Sequence, residues 1–365
     1  VTVSHLPAGL DPDLPAADRL ATRARLGRLL DSLPWLDRPD GARAAVRLRW
    51  KPATSVRVGA VVPTAAGPAA VLVVAAAPGG ESKLDKVAAR AAHLGLPVHR
   101  GDGVVAVPAA ADPQLRGLVP AGTPLAYNPA RRWVGRTADG VTKVHAAALP
   151  AGVVALLDRP PAALTAHLAP ARVDRDGRRV RLDWVPGHPP GPADLAAVAA
   201  ALDALHRCPA PPGLPVVDAD SAVRAASAAA RAAASARPAE YGRIVRLLTT
   251  LGEHSHRWPE PAALVHGDFS PDQVVVRDDH AVLLDLDRAA HGPRGWDWAQ
   301  WTVAQLACGP VGLPAPAPVD PLLALTAALV RAPEPFRRLR PRWPARLDAV
   351  LAHAEDAAAR LRAAP

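Results

Sequence analysis

Between positions 266 and 273 the chain reads His266-Gly267-Asp268-Phe269-Ser270-Pro271-Asp272-Gln273, and further on an apolar run, Val282-Leu283-Leu284, ends in Asp285. These residue types suit phosphoryl transfer. That reaction needs a carboxylate to orient an acceptor hydroxyl and take its proton, and oxygen ligands for a Mg²⁺ ion bridging the phosphates. Asp268 fits the first role. Five positions later, Gln273 offers a side-chain amide oxygen to the metal, and Asp285, delivered by a buried strand, offers a carboxylate. One Asp and one amide suffice, because Mg²⁺ keeps several waters and takes phosphate oxygens as well. Asp287 is either a third acidic contact to the metal or a solvated turn residue. His266 either holds the loop by hydrogen bonds or does acid–base work.

The elements around this stretch argue that it was built for chemistry. Residues 263–287 read as short apolar strands around a polar loop, yet their surroundings read as helices: 193–206, 221–236, 239–254 and 346–364. A charged loop between buried strands in a helical region points to a site. Upstream, 14–33 predicts an amphipathic helix, 46–50, 55–62 and 69–77 predict strands, 81–94 a helix and 104–107 a short strand. Residues 112–122 read as a connector, and a strand over 178–185 ends at Pro186-Gly187, a hinge signal. A repeat is also visible. Trp50-Lys51-Pro52 followed by Val56-Arg57-Val58-Gly59 echoes Tyr127-Asn128-Pro129 followed by Trp133-Val134-Gly135-Arg136, which predicts two related β-hairpin units in series.

His266-Gly267-Asp268, Gln273, Leu284-Asp285 and Trp296-Asp297-Trp298-Ala299 together resemble the aminoglycoside phosphotransferase family, a branch of the protein-kinase-like superfamily. The family pattern is His-Gly-Asp, Asn five positions after the Asp, an apolar strand ending in Ile-Asp, and a distal Asp before an apolar helix. The resemblance implies that Asp268 is the catalytic base, that Gln273 and Asp285 are Mg²⁺ ligands, and that Asp297 braces the catalytic loop from the following helix. It further implies that Lys143, in Val141-Thr142-Lys143-Val144, holds the α- and β-phosphates of ATP. Asp183-Trp184-Val185 then corresponds to the inter-lobe linker whose backbone binds the adenine edge. The run at Tyr127 to Arg132 resembles maltokinase-like bacterial sugar kinases, which carry an extra N-terminal cap.

The implied fold is α+β, a two-lobed protein-kinase-like architecture with an additional N-terminal α/β cap. The expected divisions are a cap over 1–120, a β-rich lobe over 121–187 and a helical lobe over 188–365. The implied substrates are ATP and a small hydroxylated acceptor such as an aminoglycoside, another natural product or a sugar. A kinase-like pseudoenzyme is the alternative. The sequence departs from the pattern in four ways: Gln stands for Asn at 273, Asp287 stands where protein kinases have the Gly of Asp-Phe-Gly, no Glu lies between Lys143 and Arg172 to pair with the lysine, leaving Asp158 as the one carboxylate there, and no Gly-rich phosphate loop is present.

Composition narrows the partners. The net charge is +9, but arginine supplies almost all of it and no block of five like charges occurs, so nucleic acid is not expected. Two cysteines without metal-ligand spacing fit free thiols in a reducing cytosol. With residues 1–10 polar and interrupted by Pro7, and no apolar run of about 18 residues, neither a signal peptide nor a membrane span is expected, and the location expected is cytoplasmic.

Overall fold

A computed structural model describes residue 11 and residues 13–39, 41–115, 117–309 and 312–363. The signal-peptide reading of 1–10 falls outside these residues. The chain divides into two compact units. The first comprises Val1–Ala148, Asp174–Arg181 and Arg337–Pro341, and the second Leu149–Val173, Leu182–Phe336 and Arg342–Pro365.

The first unit holds two antiparallel-based sheets. Strands β1 (Ala45–Lys51), β2 (Ser55–Val62) and β3 (Ala69–Ala76) form a meander, and β5 (Val104–Pro108) pairs with β3 and with the edge strand β4 (His99–Gly101). Strands β6 (Thr123–Asn128), β7 (Arg132–Thr137), β8 (Gly140–His145) and β10 (Arg179–Leu182) lie in the same order in the second sheet. The expected cap and β-rich lobe thus fall together here and share one core, in which Leu72, Val105 and Leu115 pack with Tyr127, Trp133 and Val144. The 14–33 helix is instead two, Ala17–Leu20 and Arg23–Asp31, because Thr22 leaves helical backbone and its hydroxyl accepts the Arg25 N–H at 3.3 Å as an N-cap.

The hairpin repeat has a geometric basis. Lys51 pairs with Ser55 and Asn128 with Arg132, so each turn contains Pro-Ala at matching positions. Both alanines, Ala53 and Ala130, have left-handed backbone, at φ +52° and +55°. In the first turn, Asp11 Oδ2 accepts the Ala53 N–H and Trp50 Nε1–H, at 2.8 and 2.9 Å. In the second, Asp112 Oδ2 accepts the Ala130 N–H and the Tyr127 hydroxyl, at 2.7 and 2.8 Å. The supposed connector at 112 is therefore a brace, and Asp-Pro-x-Leu recurs at 11–14 and 112–115. Following the registers outward, Arg57 pairs with Val74 where Val134 pairs with Lys143. The first copy thus has a buried valine where the second has its lysine.

Tyr127 makes this brace sensitive to alkali. Burial, then the Asp112 carboxylate, push its phenol well above the usual tyrosine range. The folded state keeps the proton and the unfolded state releases it above about pH 10, so this stability is full below about pH 10 and is lost as pH rises. Chemical denaturation between pH 8 and 11 should show a decline that Tyr127→Phe flattens. An unchanged slope in the variant counts against the assignment.

The second unit is mainly helical. Helices Ala219–Ala236, Tyr241–His254, Gly295–Ala307, Pro321–Arg331 and Trp343–Ala363 bury one apolar core whose centre includes Leu251, Val303, Leu325, Leu329 and Leu351. Alanine lines the buried face of Ala219–Ala236 and lets the helices approach closely. Into this unit are set β9 (Ala171–Val173) and two short ladders, β11 (Ala263–Val265) with β14 (Ala290–Gly292), and β12 (Val274–Arg277) with β13 (His280–Leu283). The turns and loops between these strands carry the residues singled out above. No helix among the described residues is long and apolar enough to cross a membrane.

Candidate active site

Asp297 sits in the first turn of helix Gly295–Ala307 and is wholly buried. Its Oδ2 accepts the His266 N–H at 2.8 Å and His206 Nε2–H at 3.0 Å, and its Oδ1 accepts the Gly267 N–H at 2.9 Å. A buried carboxylate needs such donors to offset desolvation, and here they fix the backbone of the loop that starts at His266. The brace read from sequence is therefore present, with His206 as a partner that spacing did not reveal. Gly267 turns the loop at φ +79°, with its α-carbon packed against the Arg288 carbonyl.

The far end of the loop is tied to the same point. The Leu284 N–H donates to the Gln273 carbonyl at 2.8 Å, one step beyond the Val274–Leu283 pair of the β12–β13 ladder. The Leu284 carbonyl in turn accepts His266 Nε2–H at 2.7 Å. A carbonyl can only accept, so the ring hydrogen lies on Nε2 and the buried Nδ1 has no hydrogen-bond partner. His266 thus spends its N–H inside the protein. The Leu284 peptide is clamped between both ends of the loop, and Gln273 and Asp285 leave the backbone beside that clamp. Asp285 is left-handed at φ +63° and ψ +47°, a conformation that costs of order 1 kcal/mol and concentrates at functional sites.

Asp268 is one-third exposed, and its two oxygens meet different neighbours. Arg331 Nη2–H donates to Oδ1 at 2.6 Å, whereas Arg288 Nε stands 3.8 Å from Oδ2. Arg331 is buried at the end of helix Pro321–Arg331, and its Nε–H donates to Gln300 Oε1. Gln300 lies one turn after Asp297 on the same helix, so that helix braces the loop backbone and, through Arg331, the Asp268 side chain. Phe269, the next residue, stacks on Trp301 at 5.1 Å and meets Trp298 edge-on at 5.6 Å, while Trp296 packs on Trp258. Trp296, Trp298 and Trp301 thus pack against neighbouring rings, and the last two anchor the loop through Phe269.

The other expected site residues lie on several elements. Lys143 is buried in mid-β8, in the first unit. Asp158 Oδ1 accepts the Val173 N–H at 2.7 Å. In Asp183-Trp184-Val185, the Asp183 N–H donates to the Pro170 carbonyl at 3.0 Å, and Trp184 is nearly half exposed. Gly187 lies against β12, where an added Cβ would stand 2.3 Å from the Val276 carbonyl oxygen, and His188 and Val276 exchange backbone hydrogen bonds. Close packing therefore accounts for this glycine, rather than a free hinge. Asp287 is half-buried in the turn after Asp285. Among the described residues no three His, Cys, Asp or Glu side chains gather as a metal cage.

Residues 169–309 match the model of the phosphotransferase enzyme family. The matched stretch holds His206, the 266–273 loop, Asp285 and Asp297, and it stops before Arg331. Among solved structures, this chain is similar to a choline/ethanolamine kinase family protein from Mesorhizobium loti, at 18% identity over 70% of this chain and 91% of that one, with TM-score 0.42. It is also similar to a macrolide 2'-phosphotransferase from Brachybacterium faecium, at 16% identity over 94% and 99%, with TM-score 0.29. A third is a glucosamine kinase in complex with glucosamine, ADP and phosphate, at 20% identity over 100% and 89%, with TM-score 0.33. A search of curated protein sequences finds no match.

Proposed function

We propose that this phosphotransferase is an ATP-dependent kinase of a small hydroxylated molecule. The observation that carries the reading is the loop itself. Asp268 reaches solvent from a segment whose backbone is fixed by Asp297 at one end and by Leu284 at the other. A rigid, accessible carboxylate can orient an acceptor hydroxyl through Oδ2 and take its proton as the new O–P bond forms and the bond from the γ-phosphorus to the β,γ-bridging oxygen breaks, releasing ADP. Gln273 and Asp285 supply an amide oxygen and a carboxylate from neighbouring backbone positions, a donor set that fits Mg²⁺, which asks few ligands of the protein. Asp287 is a third candidate ligand. When bound, the ion neutralises charge on the phosphates. Lys143 is assigned to the ATP phosphates and the 183–185 backbone to the adenine edge. His266 acts as a brace, since its one N–H is committed to Leu284.

The test is an ATP-consumption screen over neutral sugars, amino sugars and aminoglycosides with Mg²⁺ present. We expect ADP release that depends on one acceptor class and falls roughly 10²–10⁴-fold in Asp268→Asn, the range for losing a general base. ATP-induced thermal stabilisation with no acceptor-dependent turnover would point to a pseudoenzyme. Full activity in Asp268→Asn would sink the assignment of the base.

A further inference from the structure

We propose that Arg331, supported by Gln300, is a positioning residue that sets which oxygen of Asp268 faces the acceptor hydroxyl. This rests on the reading of Asp268 as the base. Arg331 and Gln300 lie outside the motif that marks the loop: Arg331 comes 63 residues after Asp268. Yet the Arg331 guanidinium is almost fully enclosed and is aimed at Oδ1 at 2.6 Å. Its Nη2 also lies 3.5 Å from the Phe269 carbonyl, so one group holds the side chain of Asp268 and the backbone of the next residue.

The chemistry explains why such a holder is needed. A carboxylate on a loop turns freely about its side-chain bonds, and a turning base spends little time in the near-attack geometry. A charge-assisted hydrogen bond to one oxygen removes that freedom. With Oδ1 occupied, Oδ2 is the atom left to receive the acceptor proton. Gln300 stops the guanidinium itself from turning, because Nε–H is held by its amide oxygen while Nη2 faces Asp268. Two features on one helix thereby divide the work, Asp297 for backbone and Gln300 for side chain.

Arg331→Met keeps the length and apolar volume of the side chain and removes the guanidinium. Gln300→Met removes the second holder. With the best acceptor from the screen, we expect kcat to fall about 10²-fold in Arg331→Met, with KM for ATP within twofold of the parent. Gln300→Met should lose about 10-fold, and the double variant should be no worse than Arg331→Met alone, as for residues acting in series. In Arg331→Ala, added guanidinium ion should restore part of kcat without changing the melting temperature. A purely structural role predicts instead that activity tracks melting temperature and that guanidinium does nothing, which overturns the proposal. A crystal structure of Arg331→Met gives a readout free of catalysis: Asp268 should leave its rotamer, and an unmoved carboxylate overturns the proposal even if no acceptor is found. Absence of acceptor-dependent turnover in the parent protein, by contrast, defeats the kinase reading alone.

Discussion

Asp297→Ala is expected to lower the melting temperature of the protein by roughly 6–20 °C and to abolish phosphoryl transfer. Three donors lose their acceptor at once: the His266 and Gly267 N–H groups and the His206 imidazole. All lie in a region without water access to Asp297, which is 0% exposed. Breaking a buried, hydrogen-bonded charged group by removing one partner costs about 3–5 kcal/mol. For a unit of this size each kcal/mol is about 2–4 °C. The loss of activity should exceed what the unfolded fraction explains, because the freed backbone is the one that carries Asp268. Asp297→Asn separates the two effects. It retains an acceptor oxygen but turns an NH₂ group toward a donor, so it should melt nearer the parent yet remain slow. Differential scanning calorimetry on both variants, with turnover measured well below the melting point, checks this. A fall of less than about 2 °C in Asp297→Ala would show that the carboxylate does not brace the loop.

How far the sequence foretold this site depends on separation along the chain. His266, Asp268, Gln273, Asp285 and Asp297 form an ordered motif, and the strands and turns that carry them have their own local signals. Short apolar runs give β12 and β13, and Asp278-Asp279 gives the turn between them, where both residues adopt positive φ. Arg331 gave no such signal, and the run Leu202 to His206 resembles a family helix without pointing to Asp297 as a partner. An arginine at the end of an apolar helix reads as a solvated cap, and a histidine at a helix end reads as favourable to the helix dipole. Only packing of helices remote in sequence turns these into partners of Asp268 and Asp297. Gln300 was nearer to legible, since it follows Asp297 at helical spacing, on the face that Asp297 buries. The hairpin repeat was visible as an echo of aromatic, proline and glycine. Its reason, an aspartate that bonds the aromatic and the turn N–H in each copy, was hidden because Asp11 and Asp112 lie at different distances upstream. The glycine at 187 misled for a related reason: the hinge and the close-packed glycine look alike in sequence, and only the Val276 carbonyl distinguishes them.

Gly267→Ala should inactivate the protein more thoroughly than its single added methyl group suggests. A Cβ at this position would lie 2.1 Å from the Arg288 carbonyl oxygen, a separation that no relaxation of a flexible side chain can relieve, because the obstacle is backbone. The φ of +79° adds a cost of about 1–2 kcal/mol for any residue with a Cβ. Overpacking typically costs a further 1–3 kcal/mol. The loop must therefore move away from the turn that follows Asp285, or that turn must move away from the loop. Asp268 is the next residue after Gly267, and Arg288 closes the turn that begins at Asp285, so either motion separates Asp268 from Asp285, the carboxylates proposed as base and metal ligand. A displacement of about 1 Å at such a site is worth about 10² in rate. We expect a melting temperature lower by roughly 4–20 °C and a kcat reduced by at least about 10²-fold at temperatures where the variant stays folded. Circular dichroism establishes the folded fraction, and turnover corrected for it supplies the comparison. Parent-like turnover in the folded variant would mean that Asp268 and Asp285 need no fixed separation, and the assignment of the two carboxylates to one reaction centre would fall with it.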